Sequence, residues 1–75
     1  MDIDVEVDAI GLLCPLPVLK ARKVLADMKT GQVLRLLASD AMAQIDVPVF
    51  CREAGHEFIA MDDQGDAQVY TIRRG

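Results

Sequence analysis

The chain has 75 residues, 52% hydrophobic and 4% aromatic, with a formal net charge of -4. Such a length allows one domain, residues 1–75, with a thin core, because a chain this short buries only about 60% of the surface it exposes when unfolded. The apolar content argues against disorder, and the acidic balance with few aromatics (Phe50, Phe58, Tyr70) counts against direct nucleic-acid binding, which needs a basic footprint or stacking platforms.

The N-terminus, Met1-Asp2-Ile3-Asp4, has no basic region and no apolar run, so no signal peptide is expected. Residues 2–8 alternate, with Ile3, Val5 and Val7 on one side and Asp2, Asp4, Glu6 and Asp8 on the other, which predicts a half-buried strand with one wet face. Gly11 breaks the pattern. From Pro15 the period becomes helical: Val18, Ala21, Leu25 and Met28 recur on one face and Lys20, Lys23 and Asp27 on the other, with Gly31 as a stop. Val33 to Ala38, apolar except for Arg35, reads as a central strand. Ser39-Asp40 offers one helix start and Asp46 a second. Val47, Phe50, Cys51 and Ala54 share a helical face, and Pro48 is tolerated in a first turn, so the firm helix is placed at Asp46–Ala54 and ended by Gly55. Glu57–Met61 and Ala67–Arg73 are strand-like, joined by a turn at Asp62–Asp66. The order is β-α-β-α-β-β. Two helices cannot cover both faces of a four-stranded sheet in so short a chain, which predicts an α+β two-layer sandwich with both helices on one face.

The stretch with chemical content is Gly11-Leu12-Leu13-Cys14-Pro15-Leu16-Pro17. The first N–H groups of a helix lack internal partners, so proline costs little there. Pro15 fits the first helical position and Pro17 the third. That puts Cys14 at the N-cap, where the positive end of the helix dipole is expected to lower its pKa. Pro15 and Pro17 set the helix start, and Gly11 permits the bend that presents the thiol. An activated thiolate can attack a sulfane sulfur, hold it as a persulfide and yield it to a second thiolate, the displacement chemistry of thiol–disulfide exchange. This requires no metal, organic cofactor or deep pocket. A cysteine before a helix is also compatible with a small buried residue, and the flanking Pro-x-Pro favours the chemical reading.

Asp8-Ala9-Ile10-Gly11-Leu12-Leu13-Cys14-Pro15-Leu16-Pro17 resembles the signature of the TusA/SirA-type sulfur carriers: Asp, two residues, Gly-Leu, one residue, then Cys-Pro-x-Pro. Asp40 and Asp46 match the spacing of two family aspartates. Asp46-Val47-Pro48-Val49-Phe50-Cys51 and Gly55-His56-Glu57-Phe58 resemble later family segments. The resemblance implies a β-α-β-α-β-β fold with a mixed four-stranded sheet and a persulfide on Cys14. It also implies a sulfur-donor protein, either a cysteine desulfurase or rhodanese-like, and an acceptor protein. The acceptor's pathway in the family is transfer-RNA thiolation, molybdenum-cofactor assembly or sulfur oxidation. The chain departs from the pattern at Ala41 and Ile45, and Ile10 and Leu13 make the surroundings of the cysteine unusually apolar.

The remaining residues have plainer readings. Cys51 reads as a small core residue. His56, alone among usual zinc spacings, reads as a capping or surface hydrogen-bonding residue, and no metal site is expected. Lys20, Arg22 and Lys23 either dock an acidic partner or form a solvated helix face, and Arg73 and Arg74 either extend that patch or form a frayed basic tail. With two cysteines and no apolar stretch near the roughly 20 residues of a membrane span, the expectation is a cytoplasmic protein with free thiols, and nothing demands more than a monomer. The reading from a different class is a non-enzymatic, thiol-based regulatory or interaction module.

Overall fold

The computed structural model describes residues 2–75, so Met1 of the N-terminal segment read above lies outside the described residues. The element order is β1 (Val5–Ala9), α1 (Leu16–Ala26), β2 (Val33–Ala38), α2 (Ala43–Ala54), β3 (Glu57–Asp63) and β4 (Gln68–Arg73). The strands form one sheet in the order β1-β2-β4-β3. β1 runs parallel to β2, pairing Val5 with Leu34 and Ala9 with Ala38, while β4 is antiparallel to both β2 and β3. The α+β two-layer architecture read from the sequence is the one observed.

Alternation decides which face the helices cover. Val7 and Ala9 of β1, Leu34, Leu36 and Ala38 of β2, and Tyr70 and Ile72 of β4 all point inward and are buried. They meet Ala21 and Leu25 of α1, Met28 just beyond it, and Ala43, Val47 and Cys51 of α2. The opposite face carries Glu6 and Arg35, paired at 3.5 Å, and at its far side Glu57 and Arg73, paired at 3.0 Å. Exposed pairs of this kind add little stability, so they mark the solvated side rather than hold the fold. Among the described residues no helix is long and apolar enough to cross a membrane.

Besides the start of α1, three boundaries differ from the sequence reading. The first strand is Val5–Ala9 rather than residues 2–8: Asp4 still donates its N–H to the Val33 carbonyl at 2.9 Å, but the Val33 N–H goes to the Asp4 carboxylate, at 2.8 Å, instead of to a backbone carbonyl. The second helix begins at Ala43, not Asp46, and Pro48 lies inside it. Its first turn is tight, with N–H groups of Ala43, Gln44 and Ile45 bonding carbonyls three residues back. The proline withholds one donor, and the carbonyl it leaves free belongs to exposed Gln44, where water is available. The last hairpin turns at residues 64–67, closed by the Gln64 N–H to the Ala67 carbonyl at 2.8 Å, so β3 extends through Asp63. Gly55 ends α2 in the left-handed conformation, φ +80°, as its position after Ala54 predicts.

The tail is anchored rather than frayed. The Arg74 side chain donates to the Leu25 carbonyl at 3.0 Å, and the Gly75 N–H donates to Nδ1 of His56 at 3.0 Å. His56 thus has the hydrogen-bonding role expected of it, and burial, with Arg74 nearby, pushes its pKa down.

Two substitutions test this core by opposite signs. Leu36→Ala removes a fully buried side chain from the central strand and is expected to cost about 2–5 kcal/mol in urea unfolding. Tyr70→Phe removes a buried hydroxyl that has no partner among the described residues, so stability should hold or rise. A clear loss with Tyr70→Phe would mean that the hydroxyl is satisfied.

Candidate functional site

The parallel pair brings two loops to one edge of the sheet. Leaving β1, Asp8 accepts the Ile10 N–H at 2.9 Å and the Leu12 N–H bonds the Ala9 carbonyl at 3.2 Å. Gly11 takes φ +83°, a conformation costly for residues with a Cβ, and donates its N–H to Oγ of Ser39 at 2.8 Å. Ser39 follows β2, so the loop before α1 is tied to the loop before α2. Lys20 reaches back from α1 and donates to the Asp8 carbonyl at 2.6 Å.

Cys14 sits one residue further from the helix than the sequence reading placed it. Pro15 is the N-cap, Leu16 the first helical residue, and buried Pro17 the second. The reason is a turn that closes before the helix begins, with the Leu16 N–H on the Leu13 carbonyl at 2.9 Å. The Cys14–Pro15 peptide is cis.

Two carboxylates meet the cysteine. Oδ2 of Asp40 accepts the backbone N–H of Cys14 at 2.6 Å, and Oδ1 accepts the N–H of Met42 at 3.1 Å. These donors, that of Cys14 foremost, hold the Asp40 carboxyl below the usual carboxylate range. The Cys14 thiol itself donates to Oδ2 of Asp46 at 2.7 Å. That hydrogen bond, reinforced by partial desolvation and by the negative charges of Asp46 and Asp40, pushes the thiol's pKa up. The sequence reading expected the helix dipole to lower it, and this is the main correction at the site. The sulfur is nonetheless exposed.

Beside the thiol, α1 and α2 leave a groove of about 340 Å³ whose lining includes Val18, Leu19, Arg22, Asp46, Phe50 and Glu53. Of the three cations considered for docking, only Arg22 lines the groove. Lys20 is committed to the Asp8 carbonyl, and Lys23 is exposed in the last turn of α1. Cys51 is buried, and burial pushes its pKa up to about 11, as a core thiol requires. In the sequence Asp40 and Asp46 are legible as helix starts and family-spacing matches, not as contacts of the thiol. The available signal was topological: a parallel pair places the ends of both strands, and whatever follows them, side by side.

The family model described as sulfurtransferase TusA matches residues 5–74. The chain is 35% identical over 74 residues to the sulfur carrier protein TusA of Pseudomonas syringae pv. syringae, covering 99% of this chain and 88% of that protein. It is 38% identical over 73 residues to the sulfur carrier protein TusA of Allochromatium vinosum, covering 97% and 96%. The crystal structure of a SirA-like protein from Desulfitobacterium hafniense matches with a TM-score of 0.82 and 25% identity, covering 95% of this chain and 97% of that one.

The geometry fixes the direction of a pH effect. An anionic hydrogen-bond acceptor favours the thiol over the thiolate, so alkylation of Cys14 by iodoacetamide should rise with a midpoint above that of an ordinary cysteine. Asp46→Asn should lower the midpoint and speed alkylation several-fold at pH 7.5, with Cys51 unmodified in both folded proteins. Peptide mapping of the alkylated cysteines gives the answer, and an unchanged midpoint would remove Asp46 from the thiol's surroundings.

Proposed function

The chain belongs to the TusA sulfurtransferase family, and from that premise we propose that it is a sulfur carrier that holds a sulfane sulfur as a persulfide on Cys14 and passes it to an acceptor protein. One observation carries the assignment to Cys14: of the two cysteines, only Cys14 presents its sulfur at the surface, on a loop fixed by Asp40 and Ser39.

In the proposed cycle the Cys14 thiolate attacks the outer sulfur of a donor persulfide. A bond forms between Sγ and that sulfur, the donor's own S–S bond breaks, and the electron pair leaves with the donor thiolate, which takes up a proton. An acceptor thiolate then attacks the outer sulfur on Cys14; the new S–S bond forms as the Sγ–S bond breaks, and the electron pair leaves with the Cys14 thiolate. Each transfer is a displacement at sulfur without an external oxidant or reductant. Gly11 supplies the bend, and Pro15 and Pro17 the helix start, that hold the thiol outward. Residues 1–75 act as one carrier domain, and turnover depends on a donor, a cysteine desulfurase or rhodanese-like protein, and on an acceptor. The cycle needs a compartment in which thiols stay reduced.

Intact-protein mass spectrometry after incubation with a cysteine desulfurase and cysteine tests the reading. Wild type and Cys51→Ala should gain one reductant-labile sulfur, and Cys14→Ser should gain none while remaining folded. No gain in wild type, repeated with a rhodanese and thiosulfate, would favour a thiol-based regulatory or interaction module instead.

A further inference from the structure

The segments that carry the thiol and its two aspartates leave large apolar side chains uncovered. Ile10, Leu13, Leu16, Leu19, Met42 and Ile45 are all exposed, Leu13 at 70% and Ile45 at 60%. They come from the loop before α1, the first turns of α1, and the approach to and first turn of α2, the same segments that carry Cys14, Asp40 and Asp46. Large apolar residues clustered in this way mark interaction surfaces.

The charges within that surface restrict what can cover it. Asp40 is satisfied internally by two backbone N–H groups. Among the described residues Asp46 receives only the Cys14 thiol, and no lysine or arginine lies within ion-pair distance of either aspartate. Arg22 shares the groove with Asp46 and Glu53 but pairs with neither. A purely apolar partner would strip water from the Asp46 carboxylate and return nothing, an unfavourable exchange. A partner that places a lysine or arginine against it replaces the lost water with a charge-assisted hydrogen bond. The same cation withdraws the carboxylate from the thiol, whose proton then passes to solvent.

Resting on the sulfur-carrier reading, we propose that Asp46 gates Cys14: it holds the thiol protonated in the free protein and releases it when a sulfur donor with an apolar contact surface brings a lysine or arginine onto the Asp46 carboxylate. Thiolate formation is thereby coupled to docking, and a small sulfane compound that brings no cation meets a thiol in its less nucleophilic form.

The test is a reversal of sign between two sulfur sources in Asp46→Asn. With the persulfide of N-acetylcysteine amide, the variant should load faster than wild type at pH 7.5, by several-fold, because the thiol ionises more readily. With a persulfide-loaded protein donor, a cysteine desulfurase or rhodanese that loads wild type, the variant should show a KM raised by about tenfold or more, the loss that follows removal of one partner of a covered charge pair. Wild-type loading by the protein donor should also weaken with added salt more steeply than that of the variant, a readout independent of how well the variant folds. Rates that move in the same direction with both sources, or equal salt dependence, would overturn the gate, as would a wild type loaded by the small persulfide but by neither protein donor. Wild type that takes sulfur from no source overturns the carrier reading itself, and the gate with it.

Discussion

In the parallel pairing of β1 with β2, both strands end at the same edge of the sheet, Ala9 beside Ala38. The chain therefore leaves both strands in the same place, and the loops that follow must lie against each other. Everything at the thiol depends on this. Ser39 and Asp40, the residues next after β2, accept the N–H groups of Gly11 and Cys14. A loop that would otherwise be free to fluctuate is pinned at two backbone positions by its neighbour. An antiparallel β1–β2 pair would put the two chain exits at opposite edges, and no choice of side chains could then bring Asp40 to Cys14.

Two electrostatic influences compete at Cys14, and their magnitudes decide between them. A helix N-terminus is equivalent to about half a positive charge, spread over the first turn and felt only nearby. Pro15 and Pro17 remove N–H groups from that turn, and the extra turn at Leu13–Leu16 sets the sulfur a residue back from it. Asp46 carries a whole negative charge and accepts the thiol proton at 2.7 Å. A full charge in hydrogen-bond contact prevails over a diluted half-charge at greater distance. Prolines at a helix start therefore argue for placement of a thiol, not for its activation.

The legibility of the sequence follows the range of the interactions. The strand at Val33–Ala38 and the face of α1 were readable because periodicity is local and each buried residue declares its own side. Gly55 was readable because a single residue sets its own backbone. Helix α2 was read three residues short, since Pro48 is a local stop signal and only the tertiary setting, an exposed Gln44 carbonyl, makes it tolerable. The bond from Cys14 to Asp46 spans 32 positions. No local pattern encodes it, although the topology that brings the two together follows once β1 and β2 are taken as parallel. The exposed collar was half visible in Ile10 and Leu13, but Met42 and Ile45 join it only through the fold.

A carrier must serve two reactions with opposite demands on one sulfur. Accepting sulfur calls for a strong nucleophile, which a high thiol pKa favours once the proton is gone. Giving sulfur up calls for a good leaving group, which a low pKa favours. A fixed environment can satisfy only one of these. A carboxylate that a partner can neutralise eases both: the attacking thiol ionises when the donor docks, and with Asp46 paired to a cation the departing Cys14 thiolate no longer forms beside an uncompensated negative charge. The proposed gate extends the requirement for a cation from donor to acceptor. Two proteins unrelated in fold would meet this surface with the same chemistry, an apolar contact around one basic side chain, since both must displace the same carboxylate from the same sulfur.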